Sequence, residues 1–182
     1  MSSQPGGDRD FMSEIAAMLQ SVPGALPEAP MSVPDQVDGA SVAIEDIEAE
    51  ERAMAHAMAY PSLLHALQFF LDWPALDRAA DLLVARHDEI DGDHYEYLAP
   101  AAEALQERHP LAATLVLRAM IDFTLTKSRA KRYRYAAEHL ASCARLAGDI
   151  PDFGAFETHD AYVARLKEEH GRKFGFWSLT AA

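Results

Sequence analysis

The sequence predicts an all-α protein of stacked antiparallel helical hairpins, arranged as an α-solenoid of tetratricopeptide-like kind or as an irregular helical bundle. Three observations predict it. Pro61, Pro74, Pro100 and Pro110 each stand ahead of a stretch with helical periodicity, as expected of proline at a first-turn position. No segment alternates polar and apolar residues as a half-buried strand does. Residues 75–110 and 111–151 each read as helix, turn, helix and closing proline, a period that suggests repeats. In the second unit Ala137, Ala144 and Pro151 sit where a tetratricopeptide-like repeat has small residues and its proline, although the tryptophan and glycine of that pattern are missing.

The first ten residues, MSSQPGGDRD, lack apolar content, and Pro23, Pro27, Pro30 and Pro34 remove backbone donors at short intervals. Residues 1–43 therefore read as a disordered or proline-rich leader, and 44–182 as the helical domain. The acidic run Glu45 to Glu51 is expected to open the first long helix, where negative charge favours the dipole. Ser62 to Asp72 has polar residues only at 62, 65, 68 and 72, so nearly its whole circumference needs cover. Ala75 to Arg86 places Leu76, Ala79, Ala80, Leu83 and Val84 on one stripe, and Asp91-Gly92-Asp93 supplies the turn that follows.

Leu111 to Lys127 is the most hydrophobic stretch and is expected to be the centre of the core. Its polar residues Thr114, Arg118, Asp122 and Thr126 fall at steps of four on one stripe. Lys131 to Ala147 sets Ala136, Ala137, Leu140, Cys143 and Ala144 on one face, with Gly148 as the expected left-handed stop. Thr158 can cap a last helix that ends at Gly171, ahead of the aromatic FGFW.

Composition narrows the setting. Hydrophobic residues make up 49% and charged residues 25% of 182, which suits a folded chain. The single cysteine, Cys143, cannot form an internal disulfide, and a cytoplasmic location is expected. No apolar run approaches the ~18 residues of a membrane span, so no membrane partner is expected. A net charge of -13 disfavours nucleic acid as a partner. The charge is uneven: residues 1–126 hold 22 acidic and 6 basic side chains, and residues 127–182 hold 7 acidic and 10 basic.

Little in the sequence points to chemistry. His139 and Cys143 stand four apart on one helix, but Cys143 lies on the apolar stripe and no second ligand pair stands nearby. The acidic turn His87 to Glu96 fails as a calcium loop, since aligning Gly92 puts His87 and Leu98 where carboxylates are required. No phosphate-binding glycine loop, nucleophile elbow or paired-histidine zinc helix occurs. The reading is accordingly no enzyme, with no catalytic, cofactor-binding or metal-binding residues.

The feature with positive content is KSRAKRYRY, Lys127 to Tyr135, which supplies Lys127, Arg129, Lys131, Arg132 and Arg134 as candidate contacts for an anion or a partner. Its two tyrosines are able to stack on bases, as in RNA recognition. A second expectation concerns Phe69 and Phe70. They lie on a helix with more apolar surface than one packing partner covers, which suggests self-association as a homodimer.

The segments DWPALDRAADLL, DGDHYEYLAPAAEAL, RHPLAATLVLRAMIDFTL, RYRYAAEHL and HGRKFGFWSL resemble the C-terminal region of a bacterial family, the domain of unknown function 6880 family. The resemblance runs from Asp72 to Leu179. It implies an all-helical, repeat-like fold, no established activity and no catalytic residues. It also implies that this chain is a shortened member, since the family's proteins usually carry further helical segments ahead of the matched region. The functional expectation is a scaffold that binds an unknown protein partner, with RNA or nucleotide binding through the 127–134 turn as the alternative.

Overall fold

The computed structural model describes residues 39–73 and 75–180, with side chains from residue 48 onward. Among these residues there are eight α-helices, two short 3-10 turns and no strand, so the all-α class holds. The described residues fall into two compact units, one up to Ala66 and one from Leu67. Most of the leader, 1–38, lies outside the described residues.

In the first unit, α1 (Gly39–Ala59) begins before the acidic run, which starts beyond its first turn and so gains nothing from the helix dipole. Ala49, Ala53 and Ala57 recur at steps of four and are buried, the stripe expected of one helical face. Tyr60 stacks at an angle on His56 and edge-on to His65, whose Nδ1 lies 2.7 Å from Ser62 Oγ. The next helix, α2 (Leu63–Asp72), carries the boundary between the units at Ala66 and Leu67.

On α2, Phe69 and Phe70, the residues expected to mediate self-association, are 4% and 0% exposed within a single chain. Leu63 and Leu67 are buried too, whereas Leu64 and Leu71 are half-buried. Phe69 stacks on Trp73, which is the exposed member of that pair.

The second unit is built around α5 (Pro110–Thr126), as its hydrophobicity predicts. Ala113, Val116, Leu117, Ile121 and Leu125 are buried, and α5 packs against α3 (Leu76–Ala85), α4 (Tyr95–Leu105) and α6 (Tyr133–Ala147). Pro110 occupies its first turn, where a missing N–H breaks no helical bond. Pro100 differs from expectation, since it lies inside α4 rather than ahead of it. The start of α4 is set by the preceding turn, where Asp91 Oδ1 accepts from the Asp93 N–H at 3.0 Å and the Tyr97 and Leu98 N–H groups donate to the His94 carbonyl.

Gly92 in that turn is required by close approach. A Cβ there would come within 2.1 Å of the Ala119 carbonyl oxygen and 2.8 Å of Phe123 Cβ, so only glycine lets the turn lie directly on α5. The end of α5 is closed by a Schellman motif with serine in glycine's usual place. The Arg129 N–H reaches the Thr124 carbonyl and the Ser128 N–H reaches the Leu125 carbonyl, while Ser128 takes a left-handed φ of 51°.

Small buried residues on α6, Ala136, Ala137 and Cys143, let it lie close along α5. Gly148 ends α6 with φ -68°, an ordinary right-handed value, so the expected left-handed stop is absent. The Thr158 cap is present: its Oγ1 accepts from the Ala161 N–H at the start of α7 (His159–His170). The last helix, α8 (Phe174–Thr180), buries Phe176 edge-on to Tyr133 and packs along α6.

Candidate functional site

Two polar regions lie on either side of α5, and they differ in what remains open. The first gathers Arg118 and Asp122 from α5 with Tyr162 and Arg165 from α7. Arg118 is 6% exposed and donates through Nη1 to the Glu157 carbonyl at 2.8 Å. Its guanidinium lies over two rings, Tyr162 at 4.5 Å and Phe153 at 5.6 Å, which places negative π faces where a buried cation needs compensation. The Tyr162 hydroxyl donates to Asp122 Oδ1, and Arg165 Nη2 donates to Asp122 Oδ2 at 3.3 Å. Arg165 also engages Glu157 through Nε and Glu169 through Nη1.

The electrostatics of this region follow from burial. Burial raises the Asp122 carboxyl above its ordinary range, against the pull of Arg165 and the Tyr162 hydroxyl. It lowers Arg118, whose charge the surrounding groups help to keep. At Arg165 burial works against the charge as well, but Asp122 and Glu157 outweigh it and the proton is held more firmly than usual. Cys143 faces the same interior, where burial pushes its thiol up to about 12, so almost no thiolate exists at neutral pH. A cleft of about 280 Å³ touches this network; Arg165 bonds there to Asp122 and Glu157, while Arg118 Nε and Nη2 are buried without a hydrogen-bond partner among the described residues.

On the other side of α5 is a groove of about 400 Å³ between α4 and α6. Its floor is Met120 and Thr124 of α5, both buried, with Ala99 and Ala136 beside them. Its walls are Tyr95, 47% exposed, and Tyr135, 59% exposed. Arg132 and His139 complete it. Arg132 lies 4.1 Å over the Tyr95 ring and donates through Nη1 to Asp93 Oδ1 at 3.2 Å. Burial lowers the His139 imidazole below its ordinary range, so the ring is neutral at physiological pH. The groove is thus apolar and aromatic, with one cation at its rim.

The structure separates the five basic residues of the 127–134 turn into two groups. Arg132 is held by Asp93, and Arg134 by Glu138 at 2.9 Å. Lys127, Arg129 and Lys131 are exposed and form no ion pair among the described residues. Arg129 lies 5.9 Å over the Phe123 ring, beside the Gly92 turn. Lys173 joins the turn from the start of α8, its Nζ donating to Ser128 Oγ at 2.7 Å. Of the two tyrosines of the basic segment, Tyr135 lines the groove, whereas Tyr133 is half-buried against Phe176.

The sequence reading did not bring Tyr95, Met120 and His139 together, because they come from three helices. One signal was available: the acidic turn around Asp93 and the basic turn around Arg132 have opposite charge, and the structure pairs them. His139 and Cys143, weighed as a dyad, serve different sides, with His139 in the groove and Cys143 in the core.

A family model described as "Family of unknown function (DUF6880)" matches residues 42–179, which takes in α1 and α2 as well as the segments from Asp72 onward. No curated protein and no solved structure matches the chain. Among the described residues no helix is long and apolar enough to cross a membrane.

Proposed function

Because the chain belongs to the DUF6880 family, a family of unknown function, we propose its role from its own residues: a helical, repeat-like scaffold that holds a segment of a partner protein in the groove between α4 and α6. The observation that carries this reading is the pair of exposed tyrosines, Tyr95 and Tyr135, flanking an apolar floor that no other side chain fills. Tyrosine supplies large contact area at small entropic cost and is enriched at protein interfaces. The repeat-like character is supported by α3 packing on both α4 and α5, as the first helix of one hairpin does on its own partner and on the next hairpin. Binding rather than catalysis suits the site, since its lining offers one cation, a neutral imidazole and the hydroxyls of Thr124, Tyr95 and Tyr135, with no carboxylate or thiol among them. A cytoplasmic setting belongs to the same proposal, with the lone buried thiol as its support.

Lys173 favours a second reading, RNA or nucleotide binding. It extends the unpaired cations Lys127, Arg129 and Lys131 onto α8, as a phosphate-tracking surface requires. It ranks second because Arg132 and Arg134 already bond to carboxylates and the whole chain repels a polyanion. Affinity purification from the source cells, with and without nuclease, separates the two. Under the scaffold reading a protein partner is retained after nuclease and lost from the Tyr135→Glu variant. A partner released by nuclease contradicts it.

A further inference from the structure

Resting on the scaffold reading, we propose that the groove between α4 and α6 takes a short acidic segment of the partner protein, anchored by one aromatic side chain between Tyr95 and Tyr135. The aromatic anchor follows from the lining. Two tyrosine walls offer ring faces and edges, and Met120 beneath them offers a thioether, a favourable neighbour for an aromatic ring. A volume of about 400 Å³ accommodates one ring with its flanking backbone.

The acidic character follows from charge. Arg132 is the one residue of permanent charge in the lining, and no carboxylate lines the groove. Arg132 gives Asp93 a single bond from Nη1, and a guanidinium has five donors, so it can accept a second carboxylate. Lys131 is its chain neighbour, and Arg129 lies over the ring of Phe123, whose Cβ approaches Gly92 in the groove lining. Neither forms an ion pair among the described residues, nor does Lys127. On a chain of net charge -13 these cations make a local positive island, which attracts a short acidic segment.

The test uses the full chain and four fluorescent probes: blocked peptides of sequence DEDFDE, DEDADE and KRKFKR, and a uridine hexanucleotide. DEDFDE is expected to bind with saturation. Removing its ring should weaken binding about tenfold or more, the ratio that follows from burying one Phe side chain. Reversing its charges should abolish binding. Tyr135→Ala and Arg132→Gln should each weaken DEDFDE by about fivefold or more, the loss of one stacked or charge-assisted contact. Tyr135→Ala should do so at an unchanged thermal midpoint, since the side chain is 59% exposed, which keeps the test valid if Arg132→Gln disturbs the Asp93 turn. Equal binding of DEDFDE and DEDADE, binding of KRKFKR, displacement by the hexanucleotide, or no binding by any peptide overturns the proposal. In the last case, continued loss of the cellular partner from Tyr135→Glu shows that the segment's chemistry is wrong and the scaffold reading stands; if that variant keeps its partner, both fall.

Discussion

The two sides of α5 use the same kinds of residue to opposite ends. Toward α7, Arg118, Asp122, Tyr162 and Arg165 turn their polar atoms and ring faces on one another, and Tyr162 is wholly buried. Toward α4 and α6, Tyr95 and Tyr135 keep much of their surface in water, and Arg132 retains donors beyond its single bond to Asp93. A buried polar network fixes one packing of the helices, because rearrangement breaks the bonds of Asp122 with Tyr162 and Arg165 and the ring cover over Arg118. A half-satisfied, aromatic-rimmed groove has contacts left to give. Under the proposed reading the α7 side serves stability and the α4–α6 side recognition.

The largest effect that sharpens this contrast is expected from Tyr162→Ala. It removes a fully buried ring, the π face over Arg118 and the donor to Asp122, and should destabilise by about 3 to 5 kcal/mol by denaturant unfolding, with binding at the groove unaffected in the folded fraction. A change below about 1 kcal/mol would break the comparison from the stability side, since it lies within the range of surface substitutions.

Next comes Gly92→Ala, which bears on both regions' common support. The added Cβ meets backbone of α5, so the turn must lift, at a cost of about 1 to 3 kcal/mol by the same unfolding measurement. Because the turn carries Asp93 and leads into Tyr95, peptide binding should weaken as well. Destabilisation without loss of binding would show that the turn does not shape the groove.

A smaller effect is expected from pH. Burial holds His139 below the ordinary imidazole range, so as pH falls through about 6.5 the unfolded chain takes up the proton first and stability declines. His159 is shifted in the same direction, by burial and by Arg118. His139→Gln should flatten the decline in thermal midpoint between about pH 7 and pH 5, where the imidazole titrates. An unchanged decline would mean that the ring is not desolvated in the groove.

How much of this was legible in the sequence differs between the regions. The helices were, because prolines and apolar periodicity are local: Pro110 starts α5 and Thr158 caps α7 as read. Helix ends were less so. Pro100 sits within α4 because the Asp91–His94 turn starts that helix earlier, and Ser128 takes a left-handed position that glycine normally marks. The polar stripe of α5 was visible at steps of four, but nothing local told that Arg118 and Asp122 face Tyr162, 44 and 40 residues along the chain. On α2 the apolar pattern marks which side chains seek cover but not what covers them: Phe69 and Phe70 are buried, and Leu64 and Leu71 only half so. The groove lay beyond local pattern altogether, since three helices and two turns contribute to it.

The smallest effect on stability is the most telling for function. Tyr135→Ala should alter unfolding by no more than about 0.5 kcal/mol, as for an exposed side chain. Its position is also where the account is tested most directly. A photo-crosslinking phenylalanine analogue placed at Tyr135 is compared with the same analogue at Phe174, the most exposed large hydrophobic side chain among the described residues at 77%. Crosslinking in the source cells followed by mass spectrometry should give a protein adduct at 135 that is absent at 174, with the crosslinked partner peptide rich in Asp and Glu around an aromatic residue. Adducts at 174 alone, or to RNA at 135, would contradict the account.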